Sequence, residues 1–359
     1  MRATLLLVLG CLASLSHAAE KHLLYMTTPD AAQPGGSGVG VMIFDVDHDH
    51  RFVRRIEIPS LIEGVRGACA YAAGGQGRMY ITTSTHRVVC LDLKTDKVLW
   101  EKKYDTGCDR AAVTPDGKTL YIPSGWWIQD NCWLVVSGET GDEIAPRIKV
   151  DGASHNTVMS LDGSRVYFGS TTRLTVLDTK DHSVVKSISP IGEFGVFPFT
   201  VNAANTRAYV CLGKTVGVHI ADLQSGAILH RLLTDGQPIK HRTHGAGLTP
   251  DERELWISDQ EGNAVFVFDN TVWPPRQTHK IKIAKGGHGW ITFSRDGRWA
   301  YTSSTEVIDA KSHEIATAFK DEKGKPVCGS KYIEVDFAED GTPSAVGDQF
   351  GLGRATAPK

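Results

Sequence analysis

One short pattern recurs along the chain and limits the folds open to it. Its clearest copy is GCDRAAVTPDGKTLYIP, which runs from Gly107 to Pro123. A short apolar strand leads into a tight turn at Pro115-Asp116-Gly117, and a second apolar strand follows the turn. Such a turn needs a residue that tolerates positive φ, and alternating apolar and polar flanks are typical of half-buried strands. Each copy therefore predicts a β-hairpin.

The spacing of the copies predicts a closed ring. Gaps of 42 to 47 residues separate the comparable entry positions, which are Arg66, Cys108, His155, Pro198, His244, His288 and Lys331. A period in the forties with strand patterning is typical of a β-propeller, in which each blade is a four-stranded sheet. Six blades are complete in sequence. We predict an all-β, seven-bladed propeller in which N- and C-terminal strands share the last blade, which removes exposed sheet edges.

The first eighteen residues predict export. Arg2 precedes an apolar stretch from Leu5 to Leu15, and Ser16-His17-Ala18 resembles a cleavage site for signal peptidase. We assign residues 1–18 to a secretory signal peptide and 19–359 to one propeller domain, in a secreted or periplasmic protein. No later stretch is long and apolar enough to predict a membrane span. The net charge of −2 gives no support for nucleic-acid binding.

Export permits disulfide bonds between the six cysteines that follow the signal. The pair that flanks one repeat, Cys108 and Cys132, is the most plausible disulfide. Buried free thiols are an equally compatible interpretation. The spacing of the cysteines does not indicate a structural zinc site.

Three of the copies, TPDGKTLYIP, SLDGSRVYFGS and SRDGRWAYTSS, resemble the repeats of the YVTN family of seven-bladed propellers. That family is related to the lactonase-like and quinoprotein-like propellers, and the resemblance covers nearly all of the mature chain. It implies a fold rather than an activity, because propellers host unrelated functions. Ligand sites in this architecture usually form where the loops that enter the innermost strands converge. We call this the entry end of the channel, and the opposite end, with the TPDG turns, the turn end.

The predicted entry loops are rich in titratable and polar side chains. They contribute Arg66, Asp109, Arg110, His155, Asn156, Arg242, His244, His288 and Lys331. Alignment on the second strand of each hairpin puts Asp109, His155 and His244 in one slot, with His288 one residue away. Three converging histidines are suited to a divalent metal ion, or alternatively to general-base catalysis near neutral pH. Polar groups at blade entries also bond neighbouring blades, so a structural role is the alternative.

Two further groups of residues carry weaker predictions. Trp126 and Trp127 lie in a long entry-end loop and are suited to stacking on a sugar ring or other flat ligand. Packing of one indole against the next blade is an equally good explanation. The run from Asp45 to His50 alternates aspartate with histidine, which suggests either cation binding or a solvated turn. We favour the turn, because the run falls between two outer strands.

Two hypotheses about function follow. The first is an exported enzyme that converts a small anionic or sugar-derived substrate by lyase- or lactonase-type chemistry. His155 and His244 would act as base or, with His288, as metal ligands, while Arg66 and Arg110 clamp the anion. Asp109 would orient a histidine or act as a second acid, and Asn156 would position the substrate, with Arg242 and Lys331 as further binding residues. The second is a non-catalytic periplasmic or extracellular module that binds a protein or a glycan. We expect a monomer in either case.

Overall fold

The structure is a computed structural model that describes residues 21–28, 36–128, 130–193, 195–196, 198–237, 240–284 and 290–355. The predicted signal peptide and His288 lie outside these ranges. The described residues form seven antiparallel sheets, six with four strands and one with five. The prediction of a seven-bladed propeller is confirmed.

The strands follow one another in chain order from the N-terminus. The first three are β1 (Lys21–Thr27), β2 (Val41–Asp45) and β3 (Arg51–Ile56), followed by a short 3₁₀ helix, Pro59–Glu63. Blade 1 contains β4 (Val65–Ala73), β5 (Gln76–Thr83), β6 (Arg87–Asp92) and β7 (Val98–Lys103). Blade 2 contains β8 (Ala112–Val113), β9 (Thr119–Pro123), β10 (Cys132–Ser137) and β11 (Glu143–Lys149). Blade 3 contains β12 (Ser154–Met159), β13 (Arg165–Ser170), β14 (Leu174–Asp178) and β15 (Val184–Ile188).

The second half of the chain repeats this arrangement. Blade 4 contains β16 (Phe199–Val201), β17 (Arg207–Cys211), β18 (Gly217–Asp222) and β19 (Ile228–Leu233). Blade 5 contains β20 (Thr243–Leu248), β21 (Glu254–Asp259), β22 (Ala264–Asp269) and β23 (Arg276–Lys282). Blade 6 contains β24 (Ile291–Phe293), β25 (Trp299–Thr302), β26 (Glu306–Asp309) and β27 (Glu314–Ala318). The last two strands are β28 (Lys331–Phe337) and β29 (Pro343–Val346).

Blade 7 closes the ring by joining the two ends of the chain. β28 pairs antiparallel with β1 along its whole length, from Lys331 opposite Thr27 to Phe337 opposite Lys21. β2 and β3 complete the blade on its outer side. β29 adds a fifth, innermost strand that pairs with β28. The shared blade is therefore as predicted, and β29 is an extra strand beyond the four of a repeat.

The repeated turns connect neighbouring blades as well as neighbouring strands. Gly117 has a φ of 73°, and a Cβ there would lie 2.2 Å from Cζ of Tyr71 in blade 1. A side chain at this position would therefore meet both backbone strain and a steric clash. In blade 5 the equivalent position is Glu252, with a φ of 60°. The glycine of the turn thus serves tight blade packing as well as chain reversal.

Residues 347–355, which we call the channel segment, cross the channel after β29. Gly347 N donates to Glu334 O in blade 7 at 2.7 Å, and Leu248 N in blade 5 donates to Gly351 O at 2.8 Å. Gly353 N donates to Val201 O in blade 4 at 3.1 Å. These bonds attach the segment to the innermost strands of blades 7, 5 and 4.

The six described cysteines are free thiols, so the predicted Cys108–Cys132 disulfide is wrong. Cys132 Sγ donates to Asp130 Oδ2 at 3.1 Å. Cys108 packs instead in an apolar cluster with Tyr104 and Ala111. The two thiols therefore lie in different environments. Within the described ranges, no helix has the length and apolar character needed to cross a membrane.

Candidate functional site

Three of the predicted site residues lie in β-bulges at the start of an innermost strand. The register of β4 with β5 shifts around Arg66, and that of β12 with β13 shifts around His155. The same shift occurs between Thr243 and Ala246 in β20, around His244. A bulge leaves one residue outside the ladder and re-aims its side chain, and bulges are common next to active sites. The bulge gives Arg66, His155 and His244 the same position in their blades.

Asp109 connects the arginines of two blades. Its Oδ1 accepts from Arg110 Nη1 and lies 3.3 Å from Arg66 Nη2. Asp109 is fully buried, Arg110 is 2% exposed, and Arg66 is partly exposed. Thr157 N in blade 3 donates to Arg110 O at 3.1 Å, and Arg110 forms an isolated bridge with the buried Asn156. The carboxylate therefore joins blades 1 and 2, and the backbone of Arg110 joins blade 2 to blade 3.

Trp290 lies beneath the cations, just before β24. The Cζ atom of Arg110 is 5.0 Å from the centroid of its ring, and Nζ of Lys331 is 4.5 Å from it. His244 meets the same indole edge to face, with centroids 5.6 Å apart. A tryptophan face attracts cations through its quadrupole. Trp290 therefore positions two cations and a histidine from blades 2, 7 and 5.

Burial changes the protonation chemistry of the cluster. Burial, together with the charges of Arg110 and Arg66, lowers the pKa of Lys331 well below its ordinary value. Burial also lowers the pKa of Arg110 to about 10, and Arg66 contributes to that decrease. The pKa of His155 falls well below 6.5 through burial and the charges of Arg110, His244 and Arg66. His155 is therefore neutral at pH 7, and the surroundings of all three groups oppose positive charge.

The metal hypothesis is neither confirmed nor contradicted. Among the described residues, no group of three or more His, Cys, Asp or Glu side chains is arranged to hold a metal ion. His288, the third predicted ligand, lies outside the described residues. His155 and His244 are close enough for the charge of one to lower the pKa of the other.

Arg242 does not join the cluster. Its Nε lies 2.9 Å from Gln260 Oε1 and 3.1 Å from Glu261 Oε1, and its side chain is 39% exposed. This arginine forms an exposed polar group with the loop after β21. It therefore lies on the rim of blade 5 rather than beside Arg66 and Arg110.

The two loop tryptophans have different surroundings. The ring of Trp127 lies 4.2 Å from Cζ of Arg66, so it packs against the site. Trp126 is 58% exposed and meets Trp127 edge to face at 6.2 Å. The exposed ring of Trp126 is thus accessible for stacking on a flat ligand, whereas the ring of Trp127 packs against the guanidinium of Arg66. The Asp45–His50 run is a turn, in which His48 Nδ1 lies 3.0 Å from Asp45 Oδ2 and His50 is buried.

The channel segment forms the floor of the site. Phe350 packs edge to face against Trp290, with centroids 5.3 Å apart. Gln349 Oε1 accepts from Ala68 N in blade 1 at 3.2 Å. The channel segment therefore contacts both Trp290 and the innermost strand of blade 1.

Sequence reasoning placed Trp290 with His288 in an entry loop but predicted none of its contacts, and it gave no role to Gln349 or Phe350. Gln349 and Phe350 lie beyond the last repeat, and no local pattern indicates that they return to the channel. Their role depends on the path of the chain after β29.

Comparison with solved structures agrees with the fold. Hydrazine synthase of Kuenenia stuttgartiensis matches with a TM-score of 0.58 and 18% identity, covering 69% of this chain and 77% of that chain. The β-propeller domain of Myceliophteria thermophila Cps50 (Swd1) matches with a TM-score of 0.59 and 12% identity, covering 74% and 87%. No protein-family model and no curated protein matches the sequence. The chain is therefore similar to these proteins in fold alone, as a seven-bladed β-propeller.

Proposed function

We propose that the entry end is a binding site for a small organic anion. One observation carries the proposal: Arg66, Arg110 and Lys331 converge at a site where, among the described residues, Asp109 is the one carboxylate that pairs with them. Asp109 balances one of the three positive charges. Arg110 and Lys331 are buried, and the lowered pKa of Lys331 indicates that a positive charge is unfavourable there without a further anion.

An uncompensated buried charge is costly for a folded protein. Arg110 and Lys331 are each 2% exposed, so water does little to lower this cost. The ammonium of Lys331 donates to Ser330 Oγ at 2.8 Å and to Ser330 O at 3.1 Å, and neither acceptor carries a full charge. A bound carboxylate or phosphate would supply the missing negative charge and accept charge-assisted hydrogen bonds. The unfavourable charge balance of the free site supports anion binding as its role.

The unused polar atoms suggest what else the anion carries. Asp109 Oδ2 is buried and accepts no hydrogen bond from the described residues, and Arg66 Nε and Arg110 Nε donate none. Such atoms normally find a partner in a folded protein. These atoms are inaccessible in the structure, so the site would open on binding, and a hydroxyl group donating to Asp109 Oδ2 beside a carboxylate that accepts from the arginines would then satisfy all three. This pattern fits a hydroxy acid or a sugar acid, and the exposed face of Trp126 is suited to stacking on a sugar ring.

The histidines extend the proposal from binding to catalysis. A neutral His155 is able to accept a proton, and an anion bound beside Arg110 and Arg66 would raise its pKa by offsetting their charges. Proton abstraction next to a carboxylate held by arginines is lyase-type chemistry, and activation of water on a cyclic ester is lactonase-type chemistry. A divalent metal held by His155, His244 and His288 would serve the second reaction.

The proposal includes two finer assignments. The repeats support placing the chain near the YVTN-type, lactonase-like propellers. The segment from Arg2 to Ala18 supports export, which would expose the site to ligands outside the cytoplasm.

Calorimetric titration with D-galacturonate tests the binding proposal. D-galactose, which lacks the carboxylate, is the uncharged control. We expect galacturonate to bind, galactose to bind at least about tenfold more weakly, and Arg110→Met to lose about 100-fold or more in galacturonate affinity. Arg242→Met is the matched control, since that arginine pairs with Glu261 on the rim. Equal affinity of wild type and Arg110→Met for galacturonate, phosphate and malonate would refute the proposal. A hydrolysis assay with D-glucono-1,5-lactone distinguishes an enzyme from a non-catalytic binding module. An enzyme would hydrolyse the lactone as the wild-type protein and lose this activity in His155→Gln.

A further inference from the structure

A cleft lies at the turn end of the ring, between blades 6 and 7. Its volume is about 370 Å³, which falls within the usual range of small-molecule sites. Blade 6 lines it with the turn between β24 and β25, and blade 7 lines it with β28, the start of β1 and the turn after β2. Val46 and Trp299 supply apolar surface. None of the residues of the proposed anion site lines this cleft.

The charged side chains of the cleft are mostly acidic. Its lining holds five carboxyl groups and two guanidinium groups, which belong to Asp47, Asp49, Asp296, Glu334 and Asp336 and to Arg295 and Arg298. His22 is the remaining titratable residue of the lining. With all carboxyl groups ionised, five negative charges meet two positive ones. The ligand charge that complements this cleft is therefore positive.

Two of the carboxyl groups are buried and share one arginine. Glu334 is 4% exposed and Asp336 is 8% exposed. Arg295 gives each of them one hydrogen bond, from N to Glu334 Oε2 at 2.8 Å and from Nε to Asp336 Oδ2 at 2.6 Å. The second oxygen of each group, Glu334 Oε1 and Asp336 Oδ1, accepts no bond from the described residues. The guanidinium of Arg295 thus balances one of two neighbouring buried carboxylates.

The two unbonded oxygens differ in access. Asp336 Oδ1 is enclosed by protein, whereas Glu334 Oε1 keeps accessible surface, and the Glu334 side chain lines the cleft. A ligand in the cleft can therefore reach Glu334 Oε1. Burial, together with the charges of Asp336 and Asp296, raises the pKa of Glu334 to about 7. A positive charge beside this oxygen would offset both effects.

The other titratable groups near Glu334 do not supply that charge in full. His22 Nδ1 lies 2.7 Å from Asp47 Oδ1. Burial opposes a charge on this ring, but the bond to Asp47 and the charges of Asp336 and Glu334 raise the pKa of His22. Tyr301 stays neutral, because burial and the charge of Glu334 raise its pKa. The positive charge of His22 is therefore shared among several carboxylates.

We propose that this cleft binds a small organic ammonium ion that donates to Glu334 Oε1, with its carbon chain against Val46 and Trp299. An ammonium group carries three donors and forms charge-assisted hydrogen bonds with carboxylates. Among the described residues, no three His, Cys, Asp or Glu side chains are arranged to hold a metal ion, which favours an ammonium ion over a metal. The proposal is independent of the anion site.

Ligand-observed NMR titration of the full-length protein with n-butylammonium tests the inference. 1-Butanol, which lacks the charge, is the control probe. We expect butylammonium to bind at least about tenfold more tightly than 1-butanol, and Glu334→Gln to lose at least about tenfold in butylammonium affinity. Glu339→Gln is the matched control, since Glu339 is exposed in the turn after the same strand and does not line the cleft.

The affinity should also depend on pH. Butylammonium stays charged between pH 6 and 8, as a lysine side chain does, whereas Glu334 loses its proton over this range. We therefore expect the wild-type affinity to rise by up to about tenfold from pH 6 to pH 8. Loss of the proton from His22 acts in the same direction, so Glu334→Gln should keep a smaller rise.

Thermal unfolding confirms that each variant is folded, and galacturonate affinity should be unchanged in Glu334→Gln, which separates this test from the anion proposal. Failure of the wild-type protein to bind butylammonium, or equal affinity for butylammonium and 1-butanol, would overturn the inference. Unchanged butylammonium affinity in folded Glu334→Gln would do the same. Displacement of butylammonium by an equal concentration of calcium chloride would assign the cleft to a metal ion instead.

Discussion

The two ends of the channel differ in how they accommodate charge. At the turn end, Asp116 Oδ1 accepts from Thr114 Oγ1 at 2.7 Å and from Lys118 N at 3.1 Å, all within one hairpin. At the entry end, Asp109 pairs with Arg66 of another blade as well as with Arg110 next to it. The first aspartate is satisfied locally and remains near water. The second is buried and depends on the assembled ring.

The difference shows that the residues repeated between blades and the residues of the candidate site lie at opposite ends of the channel. The turn contact recurs in three other blades, as Ser160 with Asp162, Thr249 with Asp251 and Ser294 with Asp296. The equivalent bulge at the entry end instead holds arginine in blade 1 and histidine in blades 3 and 5. The turn contact is completed within one hairpin, whereas the entry site combines side chains from several blades.

The strand β28 carries one buried cation and one buried carboxyl group. Lys331 at its start is a buried cation whose pKa is lowered by burial and by Arg110 and Arg66. Glu334, three residues later, is a buried carboxyl whose pKa is raised to about 7, mainly by burial. Arg295 N, in the turn of blade 6, donates to Glu334 Oε2 at 2.8 Å. Each charge is unfavourable where it lies, so the charged forms of Lys331 and Glu334 both lower stability.

The largest expected effect is on Asp109. Asp109→Asn removes the carboxylate that pairs two buried arginines, and we expect the free energy of unfolding to fall by about 3–5 kcal/mol. Added phosphate or galacturonate should recover part of this loss by supplying negative charge. Chemical denaturation with and without the anion measures both effects. A variant as stable as wild type would contradict the ion network.

Glu334→Gln should change the pH dependence of stability. Between pH 4.5 and 7 the folded carboxyl keeps a proton that the unfolded chain has lost, so this group lowers stability as pH rises through that window. The variant lacks the effect and should exceed wild type by up to about 3 kcal/mol at pH 8, with little difference at pH 4. Urea denaturation at the two pH values tests this, and an equal difference at both would contradict it.

Lys331→Met should raise the stability of the protein and weaken its binding of the anion. The ammonium has no carboxylate partner among the described residues, so its removal leaves no unpaired anion there. We expect the free energy of unfolding to rise by about 1–3 kcal/mol and anion affinity to fall by about tenfold. Denaturation and calorimetric titration measure the two effects. A decrease in stability would show that the lysine is structural.

Asp116→Asn is the matched substitution at the turn end and should have the smallest effect. Its bonds lie within one exposed hairpin, so we expect a loss of about 1 kcal/mol or less in stability and no change in anion binding. The same denaturation and titration assays apply. A loss as large as that of Asp109→Asn would remove the distinction between the two ends.

Much of the fold was predictable because its determinants are local. The TPDG-type turns and the strands around them are short-range features, and their spacing predicted both the number of blades and the shared blade. The predicted disulfide failed because an even count of cysteines carries no information on distance. The segment after Ser344 could not be placed, because its contacts are with strands far away in the sequence.

The site was predictable as a set of residues and not as an arrangement. Sequence alone determined that arginines, histidines and Asp109 begin the innermost strands, because position in a repeat fixes position in a blade. Only the tertiary structure decided that Arg242 turns away to Glu261 while Trp290 gathers Arg110 and Lys331. It also decided that the channel segment returns to the site and contacts Trp290. The physical reason is that charge balance and burial are properties of side chains from several blades together, and no single repeat contains them.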